Sequence, residues 1–135
     1  MGVWNNMRKV CAFFGHRDTS SKIEPLIEKQ IRRLIIEKGV NTFWIGGYGW
    51  FDIYASGILR KLKREYPNIH IVLVAAYIQQ LHRGRDNFFD SFDYPAEVEA
   101  APYKLAIPVR NRYMVKNADY IISCLLYTSP SPRDT

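Results

Sequence analysis

Three short runs of this chain, Lys9 to Phe14, Thr42 to Ile45 and Ile69 to Ala75, are apolar nearly throughout, with no polar alternation. A strand with one wet face alternates. A strand buried on both faces does not, and such strands belong mainly to parallel sheets covered by helices on both sides. Between the runs lie two helical patterns. From Ile23 the apolar residues fall at 23, 26, 27, 31, 34 and 35, one face of a helix that stops at Gly39. Ser20 and Ser21 offer caps, Glu24 completes a capping box with Ser21, and Pro25 suits a first turn. A second helix buries Phe51, Ala55, Ile58 and Leu62, leaves Arg60, Lys61, Lys63 and Arg64 as a solvated face, and ends at Pro67-Asn68. Pro108 opens a third helix, which leads into a fourth strand at Tyr120 to Ser123. The order β-α-β-α-β with short connections predicts an α/β fold, a doubly wound parallel sheet with right-handed crossovers. Strands are expected near 9–14, 42–45, 69–75 and 120–123, and helices near 23–38, 51–66 and 108–118. From Ala76 to about Ala101 the pattern weakens into a long loop with a short helix after Pro95. His82, Arg83 and Arg85 in that loop read first as exposed surface, although they would suit an anion.

At 135 residues the chain is long enough for one domain with a single core. With 47% hydrophobic and 24% charged residues it is globular rather than disordered. No apolar run reaches membrane-spanning length, and the N-terminus lacks the pattern of a signal peptide. Met1-Gly2 is followed by Asn6 where myristoylation wants Ser or Thr. Cys11 and Cys124 have no metal or redox spacing, and Cys11, inside an apolar run, reads as a core residue. The expected compartment is the cytoplasm. The net charge of +6 allows an anionic ligand or nucleic acid, although basic residues spread over helix faces are usually just solvated.

The chemistry-bearing stretch is Trp44-Ile45-Gly46-Gly47-Tyr48-Gly49-Trp50-Phe51-Asp52. It reads as a strand, a glycine turn and a helix, the order that binds phosphate: glycine admits close approach, and the first helical N–H groups are unpaired donors at a positive end. The spacing is not the dinucleotide fingerprint, since Asp52 stands where its third glycine would be, and no Gly-Lys-Ser/Thr follows to make a Walker loop. A turn that only needs positive φ would look the same. Gly15-His16-Arg17-Asp18 follows the first strand, and Arg110-Asn111-Arg112 lies in the first turn of the third helix. Asn111 shares a face with Met114, Val115 and Ala118, so its amide needs a partner, either a loop carbonyl or a ligand. All three motifs fall at strand-to-helix junctions, which in a doubly wound sheet gather at the carboxyl edge where ligands bind. Together they predict one concave surface.

Phe13-Phe14-Gly15-His16-Arg17-Asp18, Ile45-Gly46-Gly47-Tyr48-Gly49-x-x-Asp52 and Ile107-Pro108-x-Arg110-Asn111-Arg112-x-Met114-Val115 with Ala118-Asp119-Tyr120 resemble the SLOG superfamily, and more closely its YpsA-like branch of bacterial proteins. The resemblance covers roughly Arg8 to Ser123. It implies a Rossmann-like fold that binds nucleotides or nucleotide-derived ligands. The Lonely-guy phosphoribohydrolases and the DprA/Smf single-stranded DNA-binding proteins are relatives. The expected ligand contacts, drawn from the three converging motifs, are Gly15, His16, Arg17, Gly46, Gly47, Tyr48, Gly49, Asp52, Arg110, Asn111 and Arg112. The segment from Cys124 onward, with Ser129-Pro130-Ser131-Pro132, departs from the pattern. It looks like a translated library adapter, so residues 1–123 read as a C-terminally truncated domain and 124–135 as a non-native tail.

Three functions fit. The first is binding or sensing of a nucleotide-like small ligand, with no cofactor required and no metal. The second is an N-glycosidic hydrolase of nucleoside monophosphates, for which Asp52 and Asp18 are the motif carboxylates, although Asp52 also suits a helix cap. The third is a single-stranded nucleic acid binder using Arg17, Arg110, Arg112, Trp50 and Tyr48. None needs a membrane, and a homo-oligomer stays open. Two further expectations can be checked against structure. Arg17→Ala and Arg110→Ala should weaken binding with little effect on folding. The tail, with Pro130 and Pro132, should leave the fourth strand without a paired neighbour and leave Ile121 and Ile122 exposed.

Overall fold

The computed structural model describes residues 8–15, 21–47, 49–83, 89–123 and 128–130. The strands are β1 (Val10–Phe14), β2 (Thr42–Ile45), β3 (His70–Val74), β4 (Ser91–Asp93), β5 (Tyr120–Ser123) and β6 (Thr128–Pro130). The helices are α1 (Glu24–Lys38), α2 (Gly49–Glu65), α3 (Gln79–Arg83), α4 (Ala96–Glu99) and α5 (Ala106–Asn117). The sheet order is β4-β3-β2-β1-β5-β6. β1 to β5 are mutually parallel, and β6 alone is antiparallel, against β5. This is the expected Rossmann-like α/β architecture. From β1 the chain steps outward through β2, β3 and β4, then returns to place β5 on the other side of β1. The sheet therefore changes direction between β1 and β5, the kind of point at which open α/β sheets bind ligands.

Strand residues alternate between two cores because successive side chains point to opposite faces. On one face Cys11, Phe13, Phe43, Ile45, Ile71 and Ile122 meet Ile27, Ile31 and Leu34 of α1 and Phe51, Ala55, Leu59 and Leu62 of α2. On the other, Val10, Ala12, Trp44, Val72 and Val74 meet Met114 of α5 and Ala118 just beyond it. Each fully buried large side chain contributes about 1.5–3 kcal/mol, and the continuous apolar runs are what let both faces do so. Cys11 is fully buried, and burial pushes its thiol far above the usual range, as suits a core residue.

Several local expectations change. No serine caps α1: a single 3-10 turn (Ser21–Ile23) leads in, Ile23 is the N-cap without a side-chain bond, and Pro25 sits in the first turn. Gly39 does close α1, at φ 69°, with its N–H donating to the Leu34 carbonyl. The stretch after β3 holds two elements that its weak pattern hid, α3 and the three-residue β4, as well as the short helix after Pro95. The outer edge of β5 is not open. Thr128–Pro130 pairs with it, Pro130 opposite Tyr120 and Thr128 opposite Ile122. Proline is tolerated on an edge strand because only one side of such a strand must donate. Ile122 is fully buried and Ile121 half-buried, against the exposure expected for both.

Candidate functional site at the carboxyl edge of the sheet

β2 ends at Ile45 and runs into Gly46 and Gly47, and Gly49 opens α2. Gly47 has φ 85°, a left-handed conformation that a side chain would strain. The Gly46 carbonyl accepts two side-chain bonds, from Arg110 Nη1 at 2.8 Å and from Gln80 Nε2 at 2.8 Å. Arg110 Nη1 also donates to the Val74 carbonyl at 3.0 Å, at the end of β3. Gln80 Oε1 in turn accepts from the N–H groups of Ala76 at 2.7 Å and Tyr77 at 3.2 Å. Two side chains thus stitch the ends of β2 and β3 together and fix the glycine turn from behind. A Cβ on Gly46 would stand 2.7 Å from Arg110 Cζ, and one on Gly47 would stand 2.9 Å from Gln80 Nε2. Both glycines are therefore needed for close packing, and Gly47 for its φ as well.

Gly15, after β1, lies against the Phe51 ring in the first turn of α2, with no room for a Cβ. This contact places Gly15, the first residue of its motif, against the start of α2. α2 is 17 residues long, so the N–H groups of its first turn have no intrahelical acceptor and lie at the positive end of a full macrodipole. Asp52 lies in that turn and is buried to 8% exposure, in a place where the helix end favours a carboxylate.

The third motif is only partly as expected. Arg110 is 4% exposed, a buried cation saturating backbone carbonyls rather than an open ligand contact. Its Nε donates to Asn111 Oδ1 at 2.9 Å, so the partner that the amide needed is the neighbouring guanidinium. The buried face of α5 is Ala106, Arg110 and Met114, spaced four apart, with Asn111 and Val115 half-buried at its flank. Arg112 stands about 200° around the helix from Arg110 and is exposed, so the fold turns it away from this edge. His16, Arg17, Asp18, Tyr48 and Arg85 lie outside the described residues, as do the side chains of Trp50, His82 and Arg83. Gln80 had no signal in the sequence beyond its place in an aperiodic stretch. Among the described residues no group of acidic, histidine and cysteine side chains is arranged to hold a metal ion.

A separate cleft of about 360 Å³ lies over β2, β3 and β4, nearer their amino ends. Trp44 and Tyr113 stack in it with centroids 5.6 Å apart, and Arg8 lies 6.0 Å over the Trp44 ring. His70 Nε2 and Ser91 Oγ are 2.9 Å apart on its wall. The Tyr113 hydroxyl, which donates to Asp93 Oδ2 at 2.9 Å, is pushed up to about 12, first by burial and then by that carboxylate. Its hydrogen-bonding groups are mostly satisfied by one another, and Trp44 is only 2% exposed.

Residues 7–132 match the model of the YspA SLOG family. The chain is also 24% identical over 119 residues to a UPF0398 protein of Halalkalibacterium halodurans, covering 82% of this chain and 61% of that protein. The chain thus spans less than two thirds of the length of the curated relative it matches. A family match of this extent is consistent with a nucleotide-related binding or processing role. No helix among the described residues is long and apolar enough to cross a membrane.

Proposed function

The chain belongs to the YspA SLOG family, and we propose that it binds a nucleotide or nucleotide-derived ligand in the crevice at the carboxyl ends of β1 and β2. The observation that carries this reading is the Gly46-Gly47 turn, clamped from behind by Arg110 and Gln80 and delivering the chain into the N-terminus of α2. A phosphate there meets backbone donors and a helix dipole without needing a buried counter-charge. Gly15 packs against the start of α2, and His16 and Arg17, which follow it in sequence, are the polar and cationic contacts assigned to the ligand in this proposal. Arg110 serves as the support of the turn, and Asn111 steadies Arg110.

Calorimetric titration with AMP and with ribose 5-phosphate tests this. The wild-type chain is expected to bind both. Arg17→Ala should weaken both by about tenfold or more, the size of one charge-assisted phosphate bond, and should leave the melting temperature nearly unchanged. Equal affinity in the two proteins, or no binding by either, would remove the site as drawn.

A further inference from the structure

Large apolar side chains are exposed on both sides of one aromatic pair at the carboxyl edge. Tyr77, just after β3, and Tyr103, just before α5, stack with ring centroids 4.4 Å apart and an interplanar angle of 29°. The Tyr77 hydroxyl donates to the Tyr103 carbonyl at 3.0 Å, which fixes the pair. Tyr103 nevertheless remains 72% exposed, and Ile78, next to Tyr77, and Leu105, two residues after Tyr103, are each 52% exposed. A ring held rigid on one face and left open on the other is what stacks a flat partner with little loss of side-chain freedom.

Position gives the pair its meaning. α5 runs opposite to the strands: Arg110, near its start, bonds the carbonyls at the ends of β2 and β3, while Ala118, past its end, packs with Val10 at the start of β1. Tyr103 precedes Arg110 by seven residues of 3-10 turn and helix, so it stands on the order of 10 Å further out, overhanging the carboxyl edge. Tyr77 is tied to the glycine turn by one side chain, since Gln80 accepts from the Tyr77 N–H and donates to the Gly46 carbonyl. The aromatic platform and the turn are therefore parts of one rigid unit. A phosphate at the N-terminus of α2 and an aromatic base on Tyr103 would lie at the two ends of one small ligand.

We infer that Tyr103, backed by Tyr77, is the stacking platform for the base of a free nucleotide whose phosphate occupies the glycine turn. This rests on the function proposed above and adds its base-binding half. Stacking is sequence-tolerant because every base offers a π face, so the site takes purine and pyrimidine nucleotides alike and draws its discrimination mainly from the sugar-phosphate end.

Titrations of wild type, Tyr103→Ala and Tyr103→Phe with AMP, UMP and ribose 5-phosphate test it, with melting curves as a control that the exposed substitutions leave the fold intact. Tyr103→Ala should weaken AMP and UMP by about tenfold or more and leave ribose 5-phosphate unchanged. Tyr103→Phe, which keeps the π face, should bind as wild type does. AMP binding equally well to Tyr103→Ala, or wild type binding AMP no tighter than ribose 5-phosphate, would overturn the platform while leaving the phosphate site standing. Binding of none of the three would remove both. A single-stranded oligothymidylate bound through Tyr103, with AMP ignored, would overturn the free-nucleotide assignment in favour of nucleic acid.

Discussion

Arg110→Ala is expected to lower the unfolding free energy by about 2–4 kcal/mol, measured by chemical denaturation. An arginine in a helix usually reads as solvated, and its removal then changes stability by less than about 0.5 kcal/mol. Here the guanidinium is 4% exposed and holds the Gly46 and Val74 carbonyls at 2.8 and 3.0 Å. Removing it strips the Val74 carbonyl of a charge-assisted bond and leaves Gly46 with Gln80 alone. Relief of the buried charge offsets only part of that loss, because the buried Val74 carbonyl loses its guanidinium donor and the Gly46 carbonyl keeps one donor of two. Gly46→Ala should act through the same contact, since its Cβ would meet the guanidinium at 2.7 Å. The two changes together should then destabilise by clearly less than the sum of each alone, with a coupling of about 1–2 kcal/mol. Strict additivity, or an Arg110→Ala loss under about 0.5 kcal/mol, would mean that the clamp does not hold the turn.

Gly15→Ala is expected to destabilise by about 2–3 kcal/mol, toward the upper end for overpacking. Its φ is not among the positive ones, so backbone strain is not the cause. The cause is Phe51, whose Cβ and ring atoms occupy the volume that a methyl group would need. That ring is 1% exposed and packs beside Phe13 with centroids 6.4 Å apart, so it has nowhere to retreat. In a Phe51→Ala background the same substitution should lose less than half as much, because truncation removes the Cγ and ring atoms and leaves only the Cβ near the added methyl group. An equal loss in both backgrounds would place the origin elsewhere, in the loop that follows.

β1, β2, β3 and β5 and the three long helices were legible because their signals are physical requirements. A strand buried twice cannot alternate, and a helix with one dry face must repeat near 3.6. β4 was not legible. Ser91-Phe92-Asp93 is three residues of an edge strand, with Phe92 39% exposed, too short for any period to show. β6 was hidden by Pro130, since a proline argues against a strand except at an edge. The glycines of the site stood out as glycines, but their reasons did not. Gly15 answers to Phe51, and Gly46 answers to Arg110, 64 positions away, contacts that no local pattern encodes. Arg110 itself was misplaced by charge: its spacing of four from Ala106 and Met114 puts it on the buried face, a signal present in the sequence but outweighed by the habit of arginine to be solvated.

In the proposed function the ligand sits at the glycine turn and not in the cleft over the amino halves of β2 to β4. Amide chemical-shift mapping during a titration with AMP separates the two directly. Saturable shifts are expected at Gly15, Gly46, Gly47, Gly49 and the first turn of α2, with little change at His70, Ser91 and Tyr113. Shifts centred on Trp44, His70, Ser91 and Tyr113, or no shifts at all, would contradict it.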